Sequence, residues 1–211
     1  MPNENLDTAE SALRARLILL LASLSVQKIN FRLGPYHISG WGFHMVIGLL
    51  RTISISVVID PDAVAIGAEA FYSHREDKFV FRNSKYGASL EEKGVLLHES
   101  VHALIDSRGH KKVEDEAAAH VAEALYILNS KDYTRKEVDN LFEVAIDIAA
   151  KIKRSRDAVP VVSQDDLDDL ILDIRRQYKA AGVPIPRNQP DPANGIANPM
   201  SIISPLYGWR K

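Results

Sequence analysis

The sequence contains no cysteine. Disulfides, thiolate nucleophiles and cysteine-bearing zinc sites are excluded together, so any metal ligands must come from histidine and carboxylate. An excess of charge of either sign is also missing. The formal charge of −2 and isoelectric point near 6.4 give no general reason for the chain to seek nucleic acid or an anionic membrane. A long apolar run is missing too. The nearest approach, "LILLLASLSV" (Leu17 to Val26), follows acidic residues, lacks an Ala-x-Ala cleavage site and is too short to span a bilayer. The expectation is a cytoplasmic chain with no signal peptide, or one exported by a signal-independent route.

What is present is enough for one sizeable core: 211 residues, 46% of them hydrophobic. Residues 1–182 are expected to form a single domain. Residues 183–211 change character, with prolines at 184, 186, 190, 192, 199 and 205, and read as an extended tail. Leu13, Leu17, Leu20, Leu21 and Leu24 recur at helical spacing and predict an amphipathic first helix. "GWGFHMVIGLLRT" (Gly40 to Thr52) predicts a second helix despite its glycines. "ISISVVIDP" (Ile53 to Pro61) suits a buried strand, and "AEAFYSHREDKFVFRN" (Ala68 to Asn83) predicts two strands around a turn at His74 to Asp77. From Ser89 the signals become helical. Ser89 and Glu92 form a capping box, and a glycine stop follows at Gly109. Further helices are expected from Val113 to Leu128, from the Thr134 and Glu137 capping box to Arg156, and from Ser163 to Ala181. The fold class is therefore α+β, helix-rich, with a small sheet.

Inside the first of these later helices lies "LLHESVHALID" (Leu96 to Asp106). Residues four apart on a helix differ by about 40° in direction and about 6 Å in rise, so the imidazoles of His98 and His102 project side by side and can grip one ion. Glu99 points about 60° from His102 and about 100° from His98, flanking the pair without having to ligate. That is the place of a general base beside a metal-bound water. The plain alternative is a pair of core histidines. Composition alone yields His-Glu-x-x-His in a chain like this with a chance on the order of one in a hundred. Metal-free core imidazoles would also need hydrogen-bond partners of their own.

A third ligand is sought on the following helix, "VEDEAAAHVAEAL" (Val113 to Leu125). Glu116, His120 and Glu123 share one face, while Glu114 points the opposite way. The alanines beside Glu116 permit close approach to the motif helix. Acids at a helix N-terminus also favour the macrodipole, which is the plain reading of Glu114, Asp115 and Glu116. Asp106, His110 and His120 are the rival ligands.

From Ile66 to Leu128 the chain resembles the zincin metallopeptidases of the gluzincin kind: a short sheet with an edge strand, the HESVH helix, then a helix carrying "EDEAAAHVAEAL". The resemblance implies a zincin-like domain and Zn2+ held by His98, His102 and Glu116, with Glu99 as the base. It also implies an edge strand that pairs with an extended substrate, drawn from Ala68 to Tyr72 or Lys78 to Arg82. The third histidine of metzincins is missing, since Arg108 stands six positions after His102.

Four residues are candidates for support. Asp106 would orient an imidazole, His120 would hydrogen-bond a ligand or the transition state, and Tyr72 and Tyr126 would serve as oxyanion donors. Each also has a plain structural explanation. His37, His44 and His74 stand alone and carry no assignment. The function expected is a zinc metallopeptidase acting on peptide or protein substrates, with no nucleic acid or membrane partner. The alternatives are a regulatory or interaction protein with a structural or inactive metal site, and a metallohydrolase toxin or effector. A fourth protein ligand would favour the structural alternative.

Overall fold

The computed structural model describes residues 4–64, 70–107, 114–130, 133 and 141–181. The expectations placed on Gly109, His110, the Thr134 and Glu137 capping box and the 183–211 tail lie outside them. The protein is α+β and helix-rich. Helix α1 (Glu4–Leu21) and the short α2 (Leu24–Gln27) lead into a hairpin of β1 (Asn30–Leu33) and β2 (Tyr36–Ser39), and α3 (Gly40–Arg51) follows. A second sheet comprises β3 (Ser56–Ile59), β4 (Ala70–Ser73) and β5 (Lys78–Phe81). The chain then becomes helical, with α4 (Leu90–Asp106), α5 (Glu114–Asn129), α6 (Glu143–Arg154) and α7 (Gln164–Ala181). Among the described residues no helix is long and apolar enough to cross a membrane.

Several boundaries differ from those read in the sequence. Helix α1 buries Leu13, Leu17, Leu20 and Leu21, but it stops at Leu21 and the chain restarts at the extended Ser23. Leu24 therefore leaves the apolar stripe and is 80% exposed. Ile53 adopts a positive φ of 61° in the turn after α3, so the strand shrinks to Ser56–Ile59. The helix expected to run unbroken to Arg156 is interrupted at Phe142, which is extended, and beyond it a helix spans Glu143–Arg154. The β1–β2 hairpin was not anticipated. Its inward residues Phe31, Leu33, Tyr36 and Ile38 are buried, and Gly34, with φ 52°, opens the two-residue loop.

The second sheet has the order β3-β5-β4, with β3 parallel and β4 antiparallel to β5. Strand β5 is paired on both sides, which removes Lys78 to Phe81 as a substrate edge; β3 and β4 are the edges of the sheet among the described residues. Helix α4 packs against β4 on one side and α5 on the other, and α5 is backed by α6 and α7. The capping box holds: Glu92 N–H donates to Ser89 Oγ at 3.1 Å, and Ser89 N–H donates to Glu92 Oε2 at 2.9 Å. Ala117, Ala118, Ala119, Ala122 and Ala124 are all fully buried on α5. Their small side chains let α5 approach α4 closely enough for polar groups of the two helices to meet.

Candidate metal centre

His98 and His102, one turn apart on α4, place their ring centroids 5.0 Å apart. Glu116 reaches them from α5. Its Oε2 stands 3.5 Å from His98 Nε2 and its Oε1 3.7 Å from His102 Nε2. His120, one turn further along α5, packs its ring 4.5 Å from that of His98. Ligand atoms of His98, Glu116 and His120 all lie within 4.8 Å of one another. His102 meets the other oxygen of Glu116 but is not part of that converging group. Phe142 closes over His120 with centroids 4.2 Å apart. From α7, the Tyr178 hydroxyl donates to Glu116 Oε2 at 2.9 Å.

Glu99 turns to the other flank. Its Oε2 accepts from the Tyr72 backbone N–H of edge strand β4 at 2.8 Å. Burial raises its pKa to about 7, against the opposing pull of the His98 charge and the Tyr72 N–H. Burial would also strip the proton from His98, yet Glu116 and Glu123 on its two nitrogens hold its pKa well above the usual histidine value. His102 lacks such a pair, and burial depresses it to about 3. Burial works to raise Glu116 as well, but the imidazoles of His102 and His98 hold it well below the carboxylate range.

The supporting residues are distributed differently from expectation. Asp106 is 3% exposed and faces His74, not His102, with 3.6 Å between Asp106 Oδ1 and His74 Nδ1. The Tyr72 hydroxyl is committed to Asp106 at 3.1 Å and Asp77 at 3.3 Å, so the part of this tyrosine that serves the centre is its backbone. Tyr126 lines a separate cleft with Arg16, Leu20 and Leu96 and joins none of the contacts around the histidines.

Four neighbours of the centre escaped the sequence reading as site residues. His74 lies at the end of β4 with its ring 5.7 Å from that of His102. Tyr178 and Phe142 arrive from distant helices. Glu123 had been placed on the correct face by its spacing but given no role; its Oε2 lies 3.4 Å from His98 Nδ1. Compared with known protein families, with curated proteins and with solved structures, the chain matches none.

Proposed function

We propose that the chain is a zinc-dependent hydrolase of peptide bonds, with His98, His102 and Glu116 as ligands and Glu99 as general base. The observation that carries this reading is the Glu116 carboxylate, which spans from a second helix to both imidazoles of the HESVH motif. A different oxygen faces each ring, Oε2 at 3.5 Å from His98 Nε2 and Oε1 at 3.7 Å from His102 Nε2. Two imidazoles with one carboxylate, in a site containing no thiol, form a donor set suited to zinc. The resemblance to gluzincins implies the same three ligands.

Zinc in such a site supplies a water of lowered pKa and a Lewis acid for a carbonyl oxygen. The remaining work belongs to the chain. Glu99, a carboxylate that burial inclines toward taking up a proton, would take one from water and pass it to a leaving amine. The Tyr72 N–H fixes where that carboxylate sits, and it ties the base to β4, at an edge of the sheet among the described residues. Tyr178 holds one oxygen of Glu116, limiting its rotation. Phe142 and His120 exclude water from the α5 side.

His120 favours a second reading. A fourth protein ligand would close the coordination shell and make the ion structural, and the His98, Glu116 and His120 atoms converge closely enough to permit it. One experiment separates the two: metal analysis of the purified protein, followed by incubation of the zinc-loaded form with unfolded casein, with and without a chelator. Chelator-sensitive cleavage that disappears in Glu99→Gln supports the hydrolase. Bound zinc with no cleavage of casein or of a mixed peptide library supports the structural site.

A further inference from the structure

Glu123 is a buried carboxylate, 8% exposed, on the α5 face that meets α4. A charge taken out of water needs compensating partners. Its partners are two imidazoles: Oε2 lies 3.4 Å from His98 Nδ1 and 3.5 Å from His120 Nδ1. Both rings thus turn the same nitrogen toward the same oxygen. Gly94, one turn before His98, is buried in the helix interior beside this carboxylate. A Cβ there would stand 3.2 Å from Ile127 Cδ1 and at an ordinary contact distance of 3.4 Å from Cγ and Oε1 of Glu123.

We propose that Glu123 is a positioning residue for two imidazoles at once. With an ion in place of the Nε2 proton, Glu123 would hold the remaining proton on Nδ1 of His98, and it faces Nδ1 of His120 in the same way. His98 Nε2 faces Glu116, the side on which the ion would bind. His120 Nε2 is buried with no hydrogen-bond partner among the described residues. An unpaired buried acceptor is costly, and a neighbouring cation relieves the cost. This rests on the metal-site reading above, though not on the site being catalytic.

The test uses zinc alone as probe, with affinity read by chelator competition and protection read as exchange of imidazole N–H protons in the zinc-loaded protein. Glu123→Ala is expected to bind zinc about 10- to 100-fold more weakly, the range typical of carboxylates that orient metal-bound histidines. Its His98 ring N–H should exchange at least about tenfold faster. Glu123→Gln keeps a carbonyl acceptor and nearly the same shape. It should fold even if the alanine variant does not, retain protection of the ring N–H and lose less affinity than alanine does. Zinc affinity within about threefold of the parent in both variants, with ring N–H exchange unchanged, would overturn the proposal while leaving the metal site standing. A parent that binds no zinc would remove the metal reading and this proposal together.

Discussion

The backbone N–H of Tyr72 donates to Glu99 Oε2 at 2.8 Å, joining the edge strand β4 to the middle of the HESVH helix. An N–H on the outer side of an edge strand would ordinarily point to solvent or to a partner strand. Here it holds a side chain that is half-buried in α4. The contact places a carboxylate beside the outer side of β4.

Glu99→Gln follows directly. The amide oxygen still accepts from Tyr72, so fold and zinc content should match the parent. The variant has no basic oxygen, and hydrolysis should fall by about 10²- to 10⁴-fold, the contribution of a placed general base. Parallel zinc analysis and rate measurement check both halves. Equal rates for variant and parent would remove Glu99 from the mechanism.

A pH effect is expected at the other end of the Tyr72 side chain. Burial and then the charge of Asp106 raise the pKa of Asp77 above its ordinary value of 3.8. Because the folded-state pKa lies above the unfolded one, ionised Asp77 carries a penalty that is fully present at neutral pH. The penalty is relieved as pH falls through the raised value. Asp77→Asn removes the charge, and asparagine tolerates the positive φ of 49° at this turn. Partial exposure limits the gain to about 1 kcal/mol or less, or up to about 4 °C in melting temperature for a chain of this size. The gain should be largest at pH 7 and shrink toward pH 4. A variant less stable than the parent at pH 7 would contradict the sign.

The cap of the motif helix can be weighed separately. Ser89→Ala removes the acceptor for Glu92 N–H and should cost about 1 kcal/mol, lowering the melting temperature by about 2–4 °C. With the site itself untouched, zinc affinity should stay within about twofold of the parent. A thermal scan beside a zinc titration measures both.

How much of this was legible depended on whether the information was local. The HESVH helix could be placed from its capping box and its apolar repeat, and Glu116 from spacing and alanine neighbours. The β1–β2 hairpin was legible but missed, since Phe31, Leu33, Tyr36 and Ile38 alternate around Gly34 and Pro35. Leu24 misled because helical spacing continued past the point where the backbone stopped. Tyr178 left no local signal. It meets Glu116 across 62 residues, and only the packing of α7 on α5 brings them together. His74 was hidden in the same way, since the β4 to β5 turn had to fold before a solitary histidine could lie beside His102.

The last prediction ranks the ligands. Glu116 touches both motif imidazoles and is held by Tyr178, so Glu116→Ala removes the group that joins α5 to the pair. Its loss of zinc should exceed the roughly 10- to 100-fold typical of a supporting residue. Tyr178→Phe deletes one hydrogen bond to that carboxylate and should cost no more than about tenfold. His120 converges on the same space but turns Nδ1 to Glu123 and packs against Phe142. With His98, His102 and Glu116 intact, three ligands remain, which is the number a catalytic zinc retains. His120→Ala should therefore keep most of its zinc, and cleavage with it. Equal zinc loss from Glu116→Ala and His120→Ala would make His120 a full ligand, close the coordination shell and favour a structural metal site over the proposed hydrolase. Zinc binding unaffected by Glu116→Ala would go further, removing the ligand on which the gluzincin resemblance depends.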